Sequence, residues 1–191
     1  GWVVRNNRTH GILVGTTGGT AIQFKSGSAD TIIENNVIWD SLVGINYGGF
    51  GNPQQWGGET FEHLGGIVRN NVVYGCLDAG ISVINNKDGK VFNNTLFDNG
   101  FTPDVRVAAE NLQYRNNILD RALNLRDGTT ATESNNIVLS SPSDGSAFVD
   151  AAAANFHLAA GAAPVDQGMD LVSDVPVDFD GEARPKGGAF D

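Results

Sequence analysis

The stretch KVFNNTLF, residues 90–97, sets two Asn side by side between short runs of β-branched and apolar residues. The same pair recurs in VVRNN (3–7), IIENN (32–36), IVRNN (67–71), QYRNN (113–117) and TESNN (132–136), six copies in this setting. Their first members, Asn6, Asn35, Asn70, Asn93, Asn116 and Asn135, stand 29, 35, 23, 23 and 19 residues apart. A repeat of this period with elastic insertions is the signature of a solenoid. An Asn returning at one corner of every coil can donate its amide N–H to one neighbouring coil and accept from the other. The expectation is an all-β parallel solenoid of about six coils with an Asn ladder, Asn93 lying in its middle.

Aligned on the pair, the preceding strand places Val4, Ile33, Val68, Val91 and Tyr114 at one position, and the following strand places Ile38, Val73, Leu96, Leu119 and Val138 in register. A third strand reads AIQFK, GINYG, GISVI, DVRVA and ALNLR. That alignment puts Ile22, Ile45, Ile81, Val105 and Leu123 in one column and Phe24, Tyr47, Val83, Val107 and Leu125 in a second. With side chains alternating at period two, both columns face inward. The competing architecture is a β-sandwich whose turns use Asn-Asn; agreement of columns over five coils favours the solenoid. The coils are expected over 1–150, interrupted by a long loop at 47–66, with a closing segment at 151–191. The first residues already read as part of a coil, so further coils and a secretion signal are expected before residue 1, and the uncapped end predicts self-association.

Composition narrows the function classes. The net charge of −10 argues against a general nucleic-acid partner, which needs a basic footprint. No apolar run reaches membrane-spanning length. The lone Cys76 has no partner for an internal disulfide and suits a small apolar packing role. His10, His63 and His157 lack metal-ligand spacing. The stretch DFDGEARP resembles a calcium loop only in part, because Ala189 stands where its twelfth-position carboxylate belongs, so calcium is left possible without a clear site.

The outward column of the third strand, in the same alignment, is Gln23, Asn46, Ser82, Arg106 and Asn124, with Lys25 and Arg126 beside it. Such a face suits hydrogen bonding to sugar hydroxyls or carboxylates, although any solvated sheet face must be polar. The loop carries Tyr47, Phe50, Trp56, Phe61 and His63, with Gln54, Gln55 and Glu59, and can wall one side of that face. β-Elimination of a uronic acid needs the sugar carboxylate neutralised and a base for the C5 proton. Lys25, Arg106 and His63 are the candidate catalytic residues. Gln23, Asn46, Tyr47, Trp56, Ser82, Lys87 and Arg126 are the candidate binding residues. Hydrolysis needs two carboxylates flanking the bond, and this alignment offers no acidic column, with Asp104 at a strand end.

The Asn-pair coils resemble the right-handed parallel β-helix of pectate-lyase-like proteins over about residues 1–150. The resemblance implies a polysaccharide or oligosaccharide partner, acted on by a lyase, a glycoside hydrolase or a non-catalytic binding or adhesin module. The tail, FVDAAAANFHLAAGAAPVDQG (148–168) and DFDGEARPKGGAFD (178–191), resembles the C-terminal end of secreted or surface-anchored bacterial β-helix proteins. Asn155, Phe156, Leu158, Gly161, Pro164, Asp166, Gly168, Asp178, Asp180, Gly181, Arg184 and Pro185 carry that likeness. It implies an extracellular or cell-surface location and a closing role for the tail, and it transfers no catalytic residue.

Overall fold

The computed structural model describes residues 1–13, 19–51, 58 and 60–190, and these form parallel strands stacked in three sheets. The first sheet holds β1 (Val3–Arg5), β5 (Ile32–Glu34), β9 (Ile67–Arg69), β12 (Lys90–Phe92), β15 (Gln113–Arg115) and β18 (Thr132–Ser134). The second holds β2 (Arg8–His10), β6 (Val37–Trp39), β10 (Val72–Tyr74), β13 (Thr95–Phe97), β16 (Ile118–Leu119) and β19 (Ile137–Val138). The third holds β3 (Thr20–Phe24), β7 (Val43–Gly48), β11 (Ile81–Lys87), β14 (Asp104–Glu110) and β17 (Asn124–Leu125). The short strands β4 (Ser28–Ala29) and β8 (His63–Leu64) join it beside the end of β11. Every pairing within these three sheets is parallel, as a β-solenoid requires and a sandwich of hairpins forbids.

Each Asn pair splits into two jobs. The first Asn adopts the left-handed conformation, with φ between 51° and 57° at Asn6, Asn35, Asn70, Asn93, Asn116 and Asn135. Asn tolerates that region better than a β-branched residue, so the chain turns there at little cost. The second Asn points inward and carries the ladder, a correction to the expectation that Asn93 sits within it. Nδ2 of Asn7, Asn36, Asn71, Asn94 and Asn117 donates to Oδ1 of Asn36, Asn71, Asn94, Asn117 and Asn136, at 2.9–3.0 Å. Each receiving Oδ1 also accepts a backbone N–H from the neighbouring coil, for example Asn71 N–H to Asn94 at 3.0 Å.

The core between the sheets is one cluster that includes Ile33, Ile38, Ile45, Val68, Val73, Ile81, Val91 and Leu96, all fully buried. Ile22, Ile45 and Ile81 share a column as expected. Val105 does not join them. It pairs with Val83 and Leu125, so β14 is displaced by two residues relative to the sequence alignment. The outward column becomes Gln23, Asn46, Ser82, Asp104 and Asn124, and Arg106 moves on to sit beside Ile84. Val107, expected inside, is exposed.

After β19 the chain makes an antiparallel pair, β20 (Phe148–Asp150) with β21 (Asn155–Leu158), and then runs back across the stack. Leu171, Val175 and Phe190 close over Ile67 and Phe92, which face outward from the first sheet. The left-handed Asn residues hold this strap. Asn135 donates to the carbonyl of Gln167, Asn116 to Met169, Asn70 to Val177 and Asn35 to Phe179, at 2.8–2.9 Å. Lys90 pairs with Asp174 at 2.6 Å. Glu34 stands in register between Arg5 and Arg69 and bridges both guanidiniums.

Candidate functional site: a cationic groove on the third sheet

The outer face of the third sheet forms the floor of a groove of about 680 Å³. Period-two alternation sends Gln23, Asn46, Ser82 and Asp104 to this face, one from each successive strand. Lys25, Arg106 and Arg126 line the same groove, together with Phe50 and Phe101. Six of the sequence-derived candidates, Gln23, Lys25, Asn46, Ser82, Arg106 and Arg126, therefore converge.

Asp104 organises one end. Its side chain is nearly fully buried although it faces outward. Ser82 Oγ donates to its Oδ1, and the Arg126 guanidinium approaches Oδ2 at 3.4 Å. Burial pushes its carboxyl above the ordinary range, while Ser82, Arg106 and Arg126 pull it back. Arg106 itself lies over the Phe50 ring, its guanidinium carbon 4.7 Å from the centroid. Neither Lys25 nor Arg106 forms a close ion pair among the described residues, although the Arg106 charge acts on Asp104, whereas Arg126 is matched by Asp104. Asn46 uses its amide N–H on Thr20 Oγ1 at 2.9 Å, and its carbonyl oxygen carries no partner. The groove thus offers the Lys25 ammonium and the Arg106 guanidinium beside the Asp104–Arg126 pair, while the unpartnered Asn46 oxygen is buried beneath them.

Three candidates lie elsewhere, and a fourth, Trp56, is outside the described residues. His63 is fully buried within β8, its Nε2 2.7 Å from Thr31 Oγ1 and its ring packed on Tyr47 at 4.4 Å. Burial lowers its pKa to about 4, against the opposing pull of Asp30 and a hydrogen bond with Gly65, so it is neutral and remote from the groove. Tyr47 is likewise a core residue, its hydroxyl donating to the Gly65 carbonyl. The aromatic richness that singled out both residues reflects inward packing at the two ends of the insertion. Lys87 pairs with Glu110 at 2.6 Å and lies over Phe61, beyond the bulge in β11. Trp56, with Gln54, Gln55 and Glu59, lies outside the described residues. The insertion leaves the sheet at Gly48, where φ is +108° and an added Cβ would stand 1.8 Å from the Ile84 carbonyl oxygen, so glycine is required there.

Compared with protein-family models, with curated proteins and with solved structures, the chain matches none. What it can do is therefore argued from its own groove. Asp104 and Asp78, which also lines it, are the residues that sequence reasoning missed. A shift of two residues preserves the inside–outside alternation, so the apolar pattern alone could not have placed Asp104 on the face. Among the described residues no group of three or more His, Cys, Asp or Glu side chains could hold a metal ion, and no helix is long and apolar enough to cross a membrane.

Proposed function

We propose that the protein is a secreted, carbohydrate-active member of the right-handed parallel β-helix class that engages an acidic polysaccharide in the groove of the third sheet. One observation carries the reading: in a chain of net charge −10, Lys25, Arg106 and Arg126 gather in one groove with Gln23, Asn46 and Ser82. Against Asp78 and Asp104 in the same lining, the three cations leave the groove with an excess of positive charge in an otherwise acidic chain, which favours an anionic ligand. Arg106, in no close ion pair among the described residues and braced on Phe50, would take a uronate carboxylate through its planar fork.

The reaction that suits this arrangement is β-elimination. Arg106 neutralises the sugar carboxylate and so acidifies the C5 proton; Lys25 is the candidate base for that proton; the C4–O bond breaks and the leaving oxygen is protonated from solvent. His63 has no part in this, since its ring is sealed in the core. The test is ultraviolet absorbance of unsaturated uronate ends over a panel of acidic polysaccharides. Product formation that Lys25→Ala abolishes supports elimination. Arg106→Gln should weaken glycan binding about tenfold to a hundredfold, the loss of one charge-assisted contact of roughly 1.5–3 kcal/mol. Unchanged binding in that variant would retire the groove.

A second reading, glycoside hydrolysis, is favoured by one specific feature, the presence of Asp78 and Asp104 in the same groove. New reducing ends without unsaturated product would select it. Glycan binding with neither product would select a binding or adhesin module.

A further inference from the structure

A second cavity, of about 600 Å³, lies on the far side of the molecule from the cationic groove's sheet, along the second sheet. Its floor is a single row of residues, one per coil: Val37, Val72, Thr95, Ile118 and Ile137, which stand in register on neighbouring strands. Each follows immediately on a ladder Asn, so the row is bounded on one side by the Asn corner and the strap that crosses it. Two residues further along the strands runs the aromatic column of Trp39, Tyr74 and Phe97. β21 covers that column through Phe156, 5.0 Å from Tyr74 and 5.2 Å from Phe97. The result is a straight trough one residue wide. Five strands at a spacing of about 4.8 Å make it about 19 Å long. Phe156 lines one wall and Phe179 the other.

The charges in this lining are already engaged, with one exception. Asp180 pairs with His157 at 2.9 Å, Glu182 with Lys186, and Asp178 accepts the backbone N–H groups of Asp180 and Glu182. Arg184 lies over Phe190. Arg8, next in register after Val37, has no ion pair or hydrogen bond among the described residues. It is steadied only by Trp39, its guanidinium carbon 5.4 Å from the ring centroid. The trough therefore presents a floor that is apolar at Val37, Val72, Ile118 and Ile137, broken only by the Thr95 hydroxyl in that row, and ends at the Arg8 cation.

That chemistry selects its occupant. A polypeptide or a sugar laid along the floor would bring a row of amides or hydroxyls where the floor itself offers only the Thr95 hydroxyl, and each group left unpaired weakens binding. An unbranched alkyl chain brings none. We propose that the trough binds a long-chain carboxylate, its alkyl chain along Val37 to Ile137 and its head group on Arg8. The proposal is independent of the acidic-glycan reading, since it uses a different sheet and different residues.

Isothermal titration of the intact chain with dodecanoate, below its micellar concentration, tests it. One saturable site is expected, with hexanoate weaker by about a thousandfold, since it lacks six methylenes to bury along the floor. Arg8→Gln should reduce dodecanoate affinity about tenfold and bring it level with dodecanol. Thr95→Trp, which fills the middle of the floor, should abolish binding at an unchanged melting temperature; Ile118→Arg serves if the Trp variant melts early. Absence of a saturable site, or undiminished binding when the floor is filled, overturns the proposal. So does loss of binding in Arg106→Gln, which would put the ligand in the other groove.

Discussion

Two adjacent residues of the same type do different work here, and the difference is one of backbone conformation. The first Asn of each pair turns the chain in the left-handed region and reaches outward, whereas the second turns inward and joins the amide chain. Replacing the inner residue removes hydrogen bonds from both neighbours. Asn94→Ala leaves the buried backbone N–H of Asn71 without its acceptor and takes one of two donors from Asn117 Oδ1, and should cost about 1–3 kcal/mol in a urea titration. An unchanged midpoint would sink the ladder as a source of stability. His63 gives a second prediction at this scale. Its folded pKa, about 4, lies below the ordinary 6.5, so the unfolded chain takes up the proton first and stability falls as pH drops through that window. Between pH 7 and pH 5 the loss should be about 2 kcal/mol. The fall should vanish in His63→Gln, once the opposite trend of Asp104 and Asp120, both raised by burial, is subtracted.

At the scale of the strand, register decides which chemistry reaches the surface. The alternation in DVRVA told that Val105 faces in and Arg106 out, and both are so in β14. It could not tell which residue of β11 each one meets, because sliding by two leaves the alternation intact. Asp104 was therefore read as a strand-end acid, when it is the fourth member of the polar column. The same slip predicts a contrast. Val105→Ala, in the core, should cost about 2 kcal/mol, while Val107→Ala, in the position once expected to be buried, should change stability by less than about 0.5 kcal/mol. Equal losses at the two sites would restore the original register. His63 and Tyr47 were misplaced for a related reason: a sequence shows that an insertion is rich in rings, but not which of them lie at its re-entry into the sheet.

For the whole molecule, the stacking of parallel strands was legible because a corner amide and the β-branched runs around it repeat together, each requiring the other. The strap was legible only as a likeness, since LVSDVPVDFDG has no period of its own and gains its structure from surfaces the coils create. Its attachments have an order. The strap's amide contacts span 32 residues at Asn135, 53 at Asn116, 107 at Asn70 and 144 at Asn35. Joining distant points of a free chain costs more entropy as the intervening length grows, but each contact made first shortens the slack left for the next. The strap is thus built to close like a zip fastener, from the last coil toward the first, with the contact at Asn35 both the last to fasten and the first to come undone.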